Sequence, residues 1–468
     1  MTLFFTRFTE FMSPIVHSRC LLLCFLIIFG TVLHGCGNKN LDTDYFATLM
    51  PYSISITKNG DVFLSCFKTT SDIYEPLVLS IFLADSTSGS EIQQQDFQID
   101  SDYYQYLKYN SNIDSILLIT GNIIPLDSAE SGYRDQVVVN MVMASLDNNE
   151  IWSEAWHSYE YFYVNGVCFD QLNNTYIAGY NNEEIFYDNN NKINIDPDLR
   201  NQIAFLCQLD AYGKTVWSIP YNCISSDIIC GNEDIYIYGR QITTTSRTGS
   251  DSETVEDNVC NIVRVNNESE ITAMQNLECD GVELDITDMT ILPNGLIISA
   301  INSSSYSTEI LNGAGYNYLI HTDNNYNINY YITCGFNEGT IHDSVATSDN
   351  SIIIAGEFES NLAIAEECTG QPSISHGYYD SFIAKLSETG EVIWIRTWGG
   401  ENSDRISQIA IDHNDNIYVL GSYQAYGDDI VDLNPGSGEY NLTDSHGAYV
   451  SKFNSDGEYL WSFVPVPE

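Results

Sequence analysis

The chain has 468 residues and a formal net charge of −47, with 64 Asp and Glu against 17 Lys and Arg. So acidic a body repels phosphate backbones and anionic headgroups, which excludes a nucleic-acid partner. Hydrophobic residues at 44% and aromatics at 12% exclude a disordered chain, and the length exceeds what one core usually fills, so several domains or one repeat array is required.

In chain order, residues 1–35 read as a lipoprotein signal peptide. Arg7 and Arg19 precede an apolar run of 14 residues, Cys20 to Leu33 (CLLLCFLIIFGTVL), short for a membrane span and suited to a signal core. The run ends in Leu33-His34-Gly35-Cys36, which resembles a bacterial lipobox, with Cys36 as the residue that takes the lipid. Met12 is an alternative start. Cleavage before Cys36 removes Arg7, Arg19 and one acid, Glu10, leaving a mature charge of −48. Residues 36–50 are a tether. Gly37 follows the Cys where some bacteria place the Asp of inner-membrane retention, so the expected address is the outer membrane of a bacterial envelope.

Residues 51–468 carry a repeat. Short apolar strands end on small residues at Cys66, Gly121, Gly179, Gly239, Ala300, Gly356 and Gly421, with spacings between 55 and 65. Between these anchors Leu209, Leu386 and Phe453 each stand eight residues before a Trp (Trp217, Trp394, Trp461), with a Gly midway. This spacing predicts a third strand, a Gly-containing turn and a fourth strand whose Trp packs on the neighbouring unit. Seven such units without helical periodicity predict an all-β, seven-bladed β-propeller of four antiparallel strands per blade. How the ring closes is left open, with residues 41–50 as a candidate edge strand.

Nine Cys remain after the signal peptide and Cys36, an odd number. Cys223, Cys279 and Cys334 fall at similar places in successive units, either as buried apolar residues or as partners in a disulfide. The six remaining His form no HExxH or i, i+4 metal pair, and no nucleophile elbow, P-loop or dinucleotide fingerprint occurs. Asp412-His413-Asn414-Asp415-Asn416 alternates oxygen side chains as a calcium loop does, but it lies between two repeat strands and lacks the downstream Glu. A hairpin turn is the expectation there, calcium the alternative, and no cofactor is expected. Ser375-His376-Gly377 and Ser445-His446-Gly447 look paired but are offset by three residues.

The last two units carry a more specific pattern. Trp394, Trp398-Gly399-Gly400 and Asp404, then Ile409-Ala410, Asp412, Asn416, Tyr418-Val419 and Gly421, preceded by Asp380 and Phe382 to Leu386, resemble the SBBP β-propeller repeat of bacterial exported proteins. The segment Val431 to Gly436 resembles the turn of such repeats before their third strand. The resemblance implies a propeller on the envelope. The Gly-x-x-x-Trp tails also resemble PQQ-like repeats, which imply an outer-membrane assembly scaffold or a quinone-dependent enzyme; a glycan-active propeller enzyme is a further alternative.

The function expected is a non-catalytic binding module, monomeric and lipid-anchored, with a protein or glycan ligand. The longest segments fall between second and third strands, at Asn181 to Arg200, Arg240 to Asn258, Glu357 to Tyr379 and Ser422 to Gly447. All emerge on one face, where insertions commonly build recognition surfaces. Tyr378, Tyr379, Tyr423, Tyr426, Asp428, Asp429 and Asp432 are the candidate binding residues, with Tyr187, Tyr440, Asp196 and Asp198 in the same segments. No catalytic or metal-binding residue is assigned.

Overall fold

The computed structural model describes residues 48–466 except 70–76, 100–102, 125–135, 147–148, 159–161, 182–184, 187–191, 194–202, 222–223, 241–260, 280–281, 303–315, 336–337, 360 and 365–372. Cys36, residues 1–35, Tyr187, Asp196, Asp198 and most of the Arg240 to Asn258 segment lie outside the described residues.

Strand-forming runs here are apolar on both faces, because each blade is packed on both sides. The strand Asp380–Leu386 is buried at all seven positions. Seven sheets result, each built on four blade strands with all neighbours antiparallel. The innermost strands are Thr48–Ile56, Tyr103–Asn110, Phe162–Phe169, Ile224–Cys230, Val282–Leu292, Glu338–Ala346 and Arg405–Ile411. Seven apolar clusters follow, one at each blade interface, from Phe63, Leu79 and Leu107 between blades 1 and 2 to Trp398, Ile409 and Tyr449 between blades 6 and 7. The chain is a seven-bladed β-propeller.

A repeated irregularity explains the small anchors. Every innermost strand carries a bulge at the same place, skipping Tyr52, Gln105, Asn165, Ser226, Thr287, His342 and Ser407. Bulges sharpen local twist, which turns each blade between axis and rim. The second-strand residue opposite the position before the bulge is Cys66, Gly179, Gly239, Ala300, Gly356 or Gly421. Blade 2 places Thr120 there, one residue before Gly121. A Cβ on Gly356 would lie 2.0 Å from the Thr340 carbonyl oxygen, and one on Gly421 would lie 2.4 Å from that of Arg405. The bulged inner strand closes over these positions.

The expected Trp contact is present. Trp152 seats on Gly213 of blade 3, Trp394 on Gly457 of blade 7, and Trp461 on Gly89 of blade 1; Tyr330 takes the same place on Gly390 of blade 6. These glycines hold positive φ in the turn before the fourth strand (Gly89 +68°, Gly213 +82°, Gly390 +85°, Gly457 +71°), which suits Gly over residues with a side chain.

The same contact closes the ring. Among the described residues neither terminal blade borrows a strand from the other, and Thr48 to Met50, the described part of the candidate edge strand, begins the innermost strand of blade 1. The seam is packing and hydrogen bonds: Ile54 and Leu64 against Tyr418 and Val450, Lys452 Nζ donating to the Ser86 carbonyl at 2.7 Å, and Trp461 Nε1 donating to the same oxygen at 3.2 Å. Trp461→Ala is therefore expected to cost about 2–3 kcal/mol, with hydrogen-exchange protection falling first in blades 1 and 7. Uniform loss across all blades would contradict this seam.

Two insertions read from the sequence as loops are partly sheet. Ile185–Phe186 in blade 3 pairs onto the outermost strand of blade 2, with Phe186 opposite His157. Asn361–Ile364 in blade 6 pairs onto the outermost strand of blade 5, with Ile364 opposite Cys334. Each insertion covers the exposed edge of the preceding blade, the usual protection against edge-to-edge pairing. The Ser422 to Gly447 segment is a β-hairpin continuing Ile417–Asp432 and Asn441–Phe453, not an open loop. Strands of two to four residues, or a hairpin with a bulge, leave too little alternation to read.

Cys168 and Cys230 form a disulfide between the innermost strands of blades 3 and 4. The sequence reading had considered Cys223, Cys279 and Cys334 instead. Cys279 is buried, while Cys223 and the Cys334 side chain lie outside the described residues.

Candidate functional site

The blade 6 to blade 7 linker is where the sequence motif and the candidate residues meet. Trp398 Nε1 donates to the Tyr449 hydroxyl at 3.0 Å inside the core. Gly399 lies against the Asp380 carboxylate, where a Cβ would be 2.5 Å from Oδ1. The Gly400 N–H donates to Asp404 Oδ2 at 2.7 Å, and the Gln424 N–H donates to Asp404 Oδ1 at 3.1 Å. The motif thus builds a tight linker pinned by a buried carboxylate. Asp429 reaches the same linker from the hairpin, accepting the Glu401 N–H at 2.8 Å and the Asn402 side-chain amide at 2.7 Å.

From the other side, the Tyr379 carbonyl accepts the Asp404 N–H at 2.7 Å. Asp380 Oδ2 accepts the His376 N–H at 3.0 Å and lies 2.8 Å from His376 Nδ1. Arg405 stands over the Tyr379 ring at 4.8 Å and pairs with Glu357 at 3.3 Å; His342 Nε2 lies 3.4 Å from the same Glu357 oxygen. Burial pushes the Asp404 carboxyl up to about 7, opposed by its backbone donors and reinforced by Asp380 and Asp429. Burial also raises Asp380, with His376 opposing.

The seven candidate residues divide in two. Tyr378 is 66% exposed, Tyr426 is 42% exposed with its ring 5.3 Å from that of His446, and Asp428 is exposed. The other four form the frame beneath. Tyr423 is buried with its hydroxyl donating to Ser445 at 3.2 Å, Asp429 pins the linker, and Tyr379 holds Arg405. Asp432 accepts the Asn434 and Tyr440 N–H groups at 3.0 and 2.8 Å, fixing the hairpin turn. Sequence reasoning missed His342, Glu357, Asp380 and Arg405. The W-G-G-x-x-x-D-R stretch was the available signal for Arg405, Asp380 stood in the repeat pattern without a site role, and nothing local marks His342 or Glu357.

His376 and Asp380 resemble a base held by a carboxylate, yet the neighbouring Ser375 hydroxyl donates to the Gly377 carbonyl at 3.1 Å. Asp412 accepts the Asn414 and Asn416 N–H groups, the Asn416 side-chain amide and the Tyr418 hydroxyl between 2.8 and 3.1 Å. That is hairpin-turn geometry, with the carboxylate oxygens occupied. No group of three or more His, Cys, Asp or Glu converges as a metal site among the described residues. What the rim offers is exposed aromatic and aliphatic surface on a rigid polar frame.

A second polar locus lies on the axis. The positions after the bulges in blades 4, 5 and 6 are Asp227, Asp288 and Asp343. The Tyr106 hydroxyl donates to Asp227 at 3.2 Å across blade 3, where Gly166 leaves room: a Cβ there would be 2.4 Å from the carboxylate. Asp288 accepts from the Ser344 hydroxyl, Asp343 accepts the Ile409 N–H at 2.8 Å, and Gln408 accepts the Ile54 N–H at 2.9 Å. These side chains tie the inner strands together, Tyr106 reaching across blade 3 and the other bonds joining adjacent blades.

No family model matches the chain, and no curated protein matches it. BamB from Moraxella catarrhalis is 10% identical with a TM-score of 0.35, covering 78% of this chain and 81% of its own. An uncharacterized protein from Listeria monocytogenes is 11% identical with a TM-score of 0.41, covering 85% and 95%. A duf4221-family member from Bacteroides vulgatus is 8% identical with a TM-score of 0.30, covering 80% and 87%. Likenesses this distant leave the role of the chain to its own residues.

Proposed function

We propose that this propeller is a non-catalytic binding module of the bacterial envelope, held to the membrane through a lipidated Cys36. The observation that carries the binding role is the exposure of Tyr378 and Tyr426 on a loop-bearing rim whose underlying carboxylates are committed to hydrogen bonds. A disulfide between Cys168 and Cys230 supports residence in an oxidising compartment. Burial pushes the Cys66 and Cys207 thiols up, which makes these two poor nucleophiles.

The test places a photo-crosslinking amino acid at position 378, 426 or 212 in intact cells. Position 212, on the opposite face, is the control: Tyr212 is 84% exposed in the turn before the fourth strand of blade 3. Discrete adducts are expected from the first two positions, together with an acylated Cys36 by mass spectrometry. Adducts only from position 212 would refute the rim, and an unmodified Cys36 would refute the anchor.

A further inference from the structure

The insertions of blades 6 and 7 meet across the linker and form one continuous surface. Gly377 packs against the Glu401 backbone, where a Cβ would lie 2.1 Å from the carbonyl oxygen. Glu401 in turn donates its N–H to Asp429 of the hairpin. Tyr378 and Ile374 therefore lie on one side of Glu401, and Asp428 and Ile430 on the other. The hairpin register breaks between Ala425 and Ile430, and Gly427 takes a φ of +68° there. That bulge turns Tyr426 and Asp428 outward while Asp429, Val431 and Leu433 point into the protein.

The surface is apolar in its exposed knobs. Ile374 is 67% exposed, Tyr378 66%, Ile430 53% and Tyr426 42%. It is acidic in its charge. Segments 373–379, 399–405 and 422–447 together hold seven Asp and Glu but one cation, Arg405. That cation is held by Glu357 and Tyr379.

We infer that this rim docks a cationic, partly apolar segment of another polypeptide, through Ile374, Tyr378, Tyr426 and Ile430 as apolar contacts and Glu401 and Asp428 as charge contacts. The inference rests on the binding-module reading above and names its partner. Charge complementarity selects the occupant. An anionic lipid or nucleic acid is repelled, whereas a basic segment is steered toward the rim and aligned by it. Two of the four knobs are isoleucines, which gain by burying against aliphatic side chains and not by bonding sugar hydroxyls. The pinned linker fixes the surface beforehand, so little ordering is needed on contact.

The experiment uses the full chain in detergent and a fluorescent peptide of alternating Lys and Leu pairs, read by anisotropy. A Glu and Leu peptide and a neutral oligosaccharide serve as the other probes. Tyr378→Ala with Tyr426→Ala removes apolar contacts without changing charge, and Glu401→Gln with Asp428→Asn removes charge. Circular dichroism and thermal melts confirm that each variant is folded. Both pairs should weaken the Lys and Leu peptide roughly tenfold, and the wild-type affinity should fall as salt rises to ~0.3 M. Tyr212→Ala with Leu172→Ala, on the opposite face, should change nothing.

Equal binding by wild type and the Tyr378 and Tyr426 double variant would mean diffuse attraction to an acidic body, and would overturn the inference. Preference for the acidic peptide or the oligosaccharide would overturn it too. Loss of binding only in the Tyr212 and Leu172 variant would reject this rim while leaving a binding module in place. Absence of binding by every probe would reject the cationic partner, and the cross-linking experiment would then decide separately whether a binding module remains.

Discussion

Gly421→Val should lower stability by roughly 3–5 kcal/mol, with loss of the near-ultraviolet signal of the packed blade 6 to blade 7 interface. The cause is steric crowding. A Cβ at this position would lie 2.4 Å from the Arg405 carbonyl oxygen and 2.5 Å from the Tyr449 ring. Tyr449 cannot retreat, because its hydroxyl accepts from Trp398 and lies 3.2 Å from the Ser381 hydroxyl. Ala300 occupies the equivalent position in blade 5 and is almost fully buried. Ala300→Gly should therefore cost only about 1 kcal/mol. Urea midpoints of the two variants give the comparison, and similar losses would show that the small anchors do not answer to the bulge.

Stability should rise, on the order of 5 °C in Tm, as pH is lowered from about 7.5 to about 5. Burial pushes Asp404 up to about 7 and moves Asp227, Asp288 and Asp343 upward as well; for Asp343 the neighbouring Asp288 charge adds to the effect. A carboxyl with a higher pKa folded than unfolded binds its proton more tightly in the native state. Its stabilising contribution is complete below the unfolded value near 3.8 and is lost as pH climbs through the folded value. For Asp404 the full range corresponds to about 4 kcal/mol at most.

Two histidines oppose this trend. Burial lowers His321 and His446, so each loses stability as pH falls below its ordinary value. They are outnumbered by the axial carboxyls and Asp404. Hydrogen bonding, first from Thr347, holds Asp349 low, so its contribution is lost only below the window considered. Asp404→Asn should flatten the pH dependence. A Tm that falls steadily from pH 7.5 to 5 in the wild type would contradict the axial and linker assignments.

The repeat was legible because it is written in local terms. Seven small anchors, the Gly-x-x-x-Trp spacing and strands apolar on both faces each require only a few adjacent residues, and they specify seven four-stranded blades with interfaces on both sides. Both halves of the Trp contact were legible for the same reason: a Gly at positive φ and a Trp four residues later, as at Gly390 and Trp394, belong to one turn and its strand, and the repeat sets each such Trp on the Gly of the next blade, as Trp394 on Gly457. The sequence also placed Tyr378, Tyr426 and Asp428 on a common rim through the position of their insertions.

What only the tertiary structure decided involves residues brought together across blades. Cys168 and Cys230 are 62 residues apart and meet because the bulged inner strands of blades 3 and 4 run side by side. Asp227, Asp288 and Asp343 are unremarkable acids until the ring sets them at one level around the axis. Tyr423, Asp429 and Asp432 carry the same residue types as the exposed candidates, but the hairpin turns them inward, so they build the rim instead of presenting it. Side-chain direction in a bulged hairpin depends on register, and register is set by the partner strand, which residue type and sequence spacing alone do not reveal.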